Sequence, residues 1–188
     1  MKIIHCVLIL LLLSGCAVQC QFVSDEAAAQ VFLTDKQIFE TKAYKIYANR
    51  FQDDQAKIEY LINLVRYSNQ VFCRNGKCYN GGQGGQLLDY KLNKFNNEVN
   101  TAEDFIDKIA SHSRTSGKEY FLILKNRKMC PLKKVLYNEL DRLYQFDQHL
   151  LKIKEKQAEK EINIQMDLAV SQKNGEAKTV NKETILIQ

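Results

Sequence analysis

Val71-Phe72-Cys73-Arg74-Asn75-Gly76-Lys77-Cys78-Tyr79 is the stretch that decides the predicted fold, because it has the pattern of a tight β-hairpin. Asn-Gly at its centre favours a type I′ turn, which needs a positive φ at both central residues. In that register Arg74 and Lys77 close the turn, and Cys73 lies opposite Cys78. Their Cα atoms would be ~4.5 Å apart, which is close enough for a cross-strand disulfide.

The cysteine content leaves other pairings open. Of six cysteines, Cys6 lies in the apolar leader and Cys16 is a candidate for lipidation, so four remain as disulfide candidates. The four are Cys20, Cys73, Cys78 and Cys130. An even number suits an oxidising compartment. Besides the hairpin disulfide, one hairpin cysteine could bond Cys130, with Cys20 free or bonded elsewhere.

An apolar run and several helical patterns surround the hairpin. Residues 119–124 include the continuous run Tyr120 to Leu124, which predicts a core strand that pairs with hairpin 71–79 into a three-stranded antiparallel sheet. Helical patterns begin at Asp53, at Thr101 and at Pro131, and the last continues for many turns. The predicted fold class is therefore α+β, a small antiparallel sheet packed by several helices, with a long C-terminal helix.

The glycine-rich stretch Asn80 to Gly85 is predicted to be a loop, followed by a short helix over residues 87–95. It does not indicate a phosphate cradle, because no Gly-Lys-Ser/Thr follows it.

Residues 1–15 have the pattern of a signal peptide, with Lys2 followed by a short aliphatic run. Leu13-Ser14-Gly15-Cys16 resembles a bacterial lipobox, in which the thiol of Cys16 takes the diacylglyceryl group. Ala17 after the cysteine favours the bacterial outer membrane, with the protein facing the periplasm or the cell surface. The alternative is cleavage after Cys20, which would give a soluble secreted protein.

Four segments follow from these patterns. They are a lipoprotein signal peptide (1–15), an N-terminal helical stalk (16–52), an α+β core domain (53–150), and a charged helix end with a flexible tail (151–188). The net charge of +5 is spread among interleaved lysines and acids, which is typical of a solvated surface rather than a nucleic-acid site. We expect no metal or cofactor, since His112 and His149 have no partner at a ligand spacing.

A set of motifs in the middle of the chain resembles the bacterial domain-of-unknown-function family 5329, whose members are small exported proteins. The resemblance covers residues 55–145. It rests on Ser68, Phe72, Arg74-Asn75-Gly76, Tyr79, Lys91, residues 101–106, Ser113, Ser116-Gly117 and Tyr120. The family often has Cys where Gln70 stands here, and His where Leu87 stands.

Most of these motifs are explained by turns and helix caps, but five residues could form a polar patch. If the hairpin tip folds towards residues 113–120, the patch would contain Arg74, Glu103, Ser113, Ser116 and Tyr120.

The predicted function is that of a non-enzymatic envelope lipoprotein that binds another protein, as an accessory of an envelope or secretion assembly. The alternatives are a periplasmic ligand- or peptidoglycan-binding module and an envelope hydrolase. No catalytic residue is assigned, because neither H-E-x-x-H nor G-x-S-x-G occurs.

Overall fold

The computed structural model describes the backbone of residues 21–185 and the side chains of residues 21–166 and 168. The α-helices are α1 (Asp25–Ala28), α2 (Lys42–Tyr47), α3 (Asp54–Tyr67), α4 (Gly81–Phe95), α5 (Ala102–Asp104) and α6 (Leu132–Ile185). The strands are β1 (Val71–Arg74), β2 (Lys77–Asn80), β3 (Phe121–Ile123) and β4 (Met129–Pro131). Short 3₁₀ turns cover Ile38–Glu40 and Asn96–Glu98, and a π-helix covers Phe105–Ala110.

The sheet confirms the predicted α+β class and the hairpin register. Its order is β2-β1-β3-β4, and every neighbouring pair is antiparallel. Cys73 pairs with Cys78, and Arg74 pairs with Lys77. The φ angles of 51° at Asn75 and 76° at Gly76 are those of a type I′ turn.

The sheet has a fourth strand, β4, that the sequence analysis did not predict. Pro131 was expected in the first turn of the last helix, but it is the final residue of β4, and α6 begins at Leu132. The position suits proline, because β4 ends the strand order of the sheet and an edge strand tolerates a missing N–H donor.

Helix α4 begins six residues earlier than predicted, at Gly81 instead of residue 87. A capping box stabilises this start: the Gln83 N–H donates to Asn80 Oδ1 at 2.9 Å, and the Asn80 N–H donates to Gln83 Oε1 at 3.2 Å. Glycine is needed because α4 packs closely on α3. A Cβ atom at Gly85 would lie 2.7 Å from Arg66 Cβ.

The predicted N-terminal helical stalk is wrong for the described part of that segment, because residues 21–50 pack against the rest of the protein. Asn138 on α6 donates its amide protons to the carbonyl oxygens of Ala28 at 2.8 Å and Val31 at 2.9 Å. The Leu33 N–H donates to Glu139 Oε1 at 2.7 Å. The apolar residues of this segment, which make an imperfect helical stripe, are buried as short separate turns: Ala28, Leu33, Ile38, Ala43, Tyr44 and Tyr47. Residues 16–20 lie outside the described residues.

The predicted helix after Thr101 is confirmed, although most of it is a π-helix. Thr101 caps it, since the Asp104 N–H donates to Thr101 Oγ1 at 3.1 Å. The apolar side chains of this helix are fully buried, at Ala102, Phe105, Ile106, Ile109 and Ala110. The π-helix ends beside α4, where the carbonyl groups of Ile109 and of His112, just beyond the helix, contribute to the site described below.

The chain divides into two units, Met1–Asp141 and Arg142–Gln188. Helix α6 continues to Ile185, so it includes the segment from Asn163 that was predicted to be a flexible tail. That segment has no proline that would interrupt the helix. Residues 186–188 lie outside the described residues. Among the described helices, none is both long and apolar enough to cross a bilayer.

Candidate functional site

The hairpin tip docks on the turn over residues 113–118, as the polar-patch hypothesis required. Ser116 Oγ donates to Asn75 Oδ1 at 2.8 Å, and Asn75 Nδ2 lies 3.5 Å from Ser113 Oγ. The Gly117 N–H donates back to the Ser113 carbonyl at 2.7 Å, and Gly117 has a φ of 67°, which closes the turn. Asn75 therefore links β1 and β2 to the segment that leads into β3.

Four of the five predicted patch residues lie together at this junction. The Arg74 guanidinium lies 5.8 Å from the centroid of the Tyr120 ring. Ser113 is buried and hydrogen-bonds to the Tyr120 side chain, while Ser116 holds the hairpin tip. Glu103 belongs to a different neighbourhood, in the first turn of α5, where its charge helps to raise the pKa of Tyr137.

Lys91 on α4 is a buried cation behind this patch. Its side chain is 5% exposed, and Nζ donates to the carbonyl oxygens of Ile109 and His112, the latter at 2.7 Å. Nζ also lies 3.5 Å from the Tyr120 hydroxyl and 4.9 Å from the centroid of the Tyr120 ring. Lys91 therefore fixes the position of Tyr120 relative to the end of the π-helix.

Burial shifts the protonation equilibria of this pair. It lowers the pKa of Lys91 to about 8, with smaller contributions from the positive charges of Arg74 and Arg114. Burial also raises the pKa of Tyr120, which Arg74 and the hydrogen bond from Ser113 oppose. Tyr120 is therefore a neutral hydroxyl at neutral pH, and Lys91 is mostly an ammonium ion.

A cavity of about 200 Å³ opens in front of Tyr120, between the sheet and helices α3 and α4. Most of its wall is apolar, formed by Val65, Phe72, Leu87, Leu88 and Leu132. Its polar wall includes Arg74, Tyr79, Gln83 and Tyr120. We call this cavity the sheet pocket.

Arg74 is the cation of the sheet pocket. Among the residues whose side chains the structure describes, no carboxylate forms a salt bridge with Arg74. By contrast, Arg66 pairs with Asp89, and Arg114 pairs with Glu98 at 2.8 Å. The charge of Arg74 is therefore not neutralised by a protein carboxylate at the pocket wall.

The cysteines fall into three groups. Cys73 and Cys78 form a disulfide, which confirms the predicted hairpin pairing. Cys130 is a free thiol with no exposed surface, and burial raises its pKa. Cys16 and Cys20 lie outside the described residues.

The neighbouring residues Ser111 and His112 contact each other through their side chains. Ser111 Oγ lies 2.9 Å from His112 Nδ1 and donates its own proton to the Asp107 carbonyl, also at 2.9 Å. The Ser111 hydroxyl thus has a backbone carbonyl as a second hydrogen-bond partner besides His112. In the described part of the chain, no group of three or more His, Cys, Asp and Glu side chains is placed to hold a metal ion.

The sequence analysis did not assign Lys91 or Leu87 to the site. Lys91 is part of the family pattern, and Leu87 is a position where this chain departs from that pattern. Lys91 follows Leu88 by three residues, so it lies on the buried face of α4. A lysine in such a stripe is a signal of a buried cation with specific acceptors. Leu87 lines the sheet pocket at the position where the resembling family often has histidine.

The fold and the sheet pocket together define a class of protein: an α+β domain that has an apolar pocket with one arginine at its wall. Residues 52–144 match the sequence model of the family described as "Family of unknown function (DUF5329)". The predicted resemblance to this family is thereby confirmed over residues 52–144.

The chain is also similar to the "Uncharacterized protein YfeK" of Salmonella typhimurium (strain LT2). The two are 37% identical over 75 residues, which cover 39% of this chain and 62% of the relative. The chain thus matches about three fifths of the length of that relative. No solved structure shows a significant match.

Proposed function

We propose that this protein is a non-enzymatic binding module, exported and held by a lipid anchor at Cys16 on the bacterial outer membrane. Its ligand would have a small apolar body and an anionic end. The observation that supports this ligand class most directly is the sheet pocket, with apolar walls and the unneutralised cation of Arg74.

The size and lining of the sheet pocket favour a small ligand over a glycan. Its volume of about 200 Å³ is below the ~300–1,000 Å³ typical of sites for drug-sized molecules. Five of its lining residues are apolar side chains, which offer no partners for sugar hydroxyl groups. A medium-length carboxylate fits both features, because its chain can contact the leucines while its charge contacts Arg74.

Octanoate is a suitable probe, with 1-octanol as its uncharged equivalent. We expect Arg74→Gln to weaken octanoate binding about 10- to 100-fold, since a hydrogen bond to a charged group contributes about 1.5–3 kcal/mol. Binding of 1-octanol should change little. Isothermal titration calorimetry of both probes with both proteins measures the effect.

The matched control is Arg114→Gln, which removes an arginine that pairs with Glu98 and stacks at 4.1 Å on Phe95, outside the sheet pocket. This variant should bind octanoate as the wild type does. Equal octanoate affinity of the Arg74→Gln variant and the wild type would sink the proposal.

A protein partner bound through α6 is a second candidate function. Large apolar side chains are exposed along this helix, at Leu151, Ile153, Ile162, Ile164, Met166 and Leu168. Exposed apolar surface on a helix is typical of helix-mediated association. Truncation after Asp147 should then abolish co-purification of the partner from detergent-solubilised envelopes, while octanoate binding is retained. Co-purification that survives the truncation would contradict this second function.

A further inference from the structure

The outer face of the sheet is apolar across β1, β3 and β4, where its side chains are less buried than those of the inner face, whereas β2 contributes Asn80 opposite Val71. Phe72, Leu122 and Cys130 align across β1, β3 and β4 and are buried, which defines the inner face. Because side chains alternate along a strand, the neighbouring positions lie on the opposite face. We define the outer sheet face by those positions in β1, β3 and β4, namely Val71, Cys73, Phe121, Ile123, Met129 and Pro131.

None of the six residues of the outer sheet face is charged or carries a polar side-chain N or O atom. Val71 is 44% exposed, and the other five are half-buried. An antiparallel sheet with one solvated face normally carries polar side chains there. The composition of the outer sheet face is therefore typical of a surface that another molecule covers.

The first described residues of the chain lie beside this face. The Met129 N–H donates to the Gln21 carbonyl at 2.9 Å, and the Val23 N–H donates to the Met129 carbonyl at 3.1 Å. These bonds hold residues 21–23 parallel to β4. The ring of Phe22 packs on Phe121 with 5.3 Å between centroids and is itself 56% exposed. Phe22 thus extends the outer sheet face at its edge.

The length of chain before this point limits how far the outer sheet face can be from the proposed anchor. Four residues separate Cys16 from Gln21. At ~3.3–3.6 Å per residue, the Cα atoms of Cys16 and Gln21 can be at most about 18 Å apart. An acylated Cys16 would therefore keep the β4 edge close to the bilayer surface.

We propose that the outer sheet face docks on the surface of a lipid bilayer that contains anionic headgroups. The inference rests on the proposed anchor at Cys16. The β3–β4 turn, at one end of this face, adds the cations Lys125, Arg127 and Lys128 and has no acidic residue of its own, and Lys125 is paired with the exposed Asp35 at 3.8 Å. Apolar side chains would lie at the boundary of headgroups and acyl chains, while these cations contact the anionic headgroups.

Because the sequence contains no tryptophan, the tryptophan emission of a single-tryptophan variant comes from the introduced residue alone. The full chain, purified from bacterial membranes, is placed in vesicles of phosphatidylethanolamine and phosphatidylglycerol with brominated acyl chains. Val71→Trp puts the reporter on the outer sheet face, and Phe22→Trp gives a second reporter at its edge. The matched control is Tyr90→Trp, at a residue of α4 that is 61% exposed.

We expect the brominated lipids to quench the tryptophan emission of the Val71→Trp and Phe22→Trp variants at least twofold more than that of Tyr90→Trp, with a blue shift for the first two. Protein that floats with the vesicles but shows equal quenching in all three variants overturns the docking and leaves the anchor intact. Protein that neither floats nor carries acyl chains in its intact mass overturns the anchor and the docking with it. If the blue shift of the Val71→Trp variant in detergent grows with protein concentration and the mass in solution doubles, a second copy of the protein covers the face. This result also overturns the proposal.

Discussion

Replacing Lys91 with methionine is expected to lower the free energy of unfolding by about 1–3 kcal/mol at neutral pH, because the carbonyl oxygens of Ile109 and His112 lose their donor. Removing the buried charge offsets part of this loss. Urea denaturation measures the change. The matched control is Lys94→Met on the same helix, where the lysine is exposed, and it should change stability by less than about 0.5 kcal/mol.

The pH dependence of the same pair of proteins separates the charge from the packing. In the folded protein burial holds the pKa of Lys91 at about 8, below the ordinary lysine pKa of 10.5. Between these two values the unfolded chain binds more protons than the folded one, so the stability of the wild type rises with pH. The Lys91→Met variant lacks this contribution.

The stability difference between wild type and Lys91→Met should therefore be constant below about pH 8 and should widen between about pH 8 and 10.5. Parallel urea titrations on either side of pH 8 test this, because tyrosine and other groups titrate in both proteins and largely cancel. A difference that stays constant up to about pH 10 would show that Lys91 keeps its proton and that burial does not govern its titration.

The second large effect is expected at the glycines of α4. Gly85→Ala should destabilise the protein by about 1–3 kcal/mol, because the new Cβ atom would lie 2.7 Å from Arg66 Cβ and 3.1 Å from Arg66 Cα. Neither of these atoms is at the flexible end of a side chain, so the two helices must separate. Thermal denaturation followed by circular dichroism measures the loss.

Gly82→Ala is the matched control for this change. The nearest atom to its new Cβ would be Asn80 Oδ1 at 3.4 Å, which is an ordinary contact. Alanine is the better helix former by up to about 1 kcal/mol, so this variant should be as stable as the wild type or more stable. Equal losses at both positions would mean that α4 and α3 are not in close contact at Gly85.

The features that the sequence predicted correctly depend on neighbouring residues. The hairpin register and its disulfide follow from Asn75-Gly76 and from the two cysteines placed symmetrically about this turn. The cap at Thr101 is equally local. In each case the interacting residues are within five positions of one another, so the pattern itself contains the geometry.

The features that the sequence analysis missed depend on distant residues. The glycines at 81–85 indicate a loop until α3 is placed beside them, at a distance that only glycine permits at Gly81 and Gly85. Residues 21–50 resemble a stalk until Asn138 and Glu139, more than a hundred positions away, are seen to bind their backbone. Lys91 could be named as a motif residue, but one of its acceptors, the Ile109 carbonyl, belongs to a π-helix, which amphipathic periodicity does not distinguish from an α-helix.

The contrast between the hairpin disulfide and the buried thiol of Cys130 has a consequence for oxidative folding. On the proposed export route the chain would emerge from its N-terminus, so Cys73 and Cys78 would meet an oxidant 52 residues before Cys130 does. Closing a loop between cysteines five positions apart also has a small entropic cost. Once folded, Cys130 is shielded and its raised pKa keeps it protonated, so it is a poor nucleophile for disulfide exchange. The order of emergence and the packing of β4 would thus both protect the hairpin disulfide from exchange with Cys130.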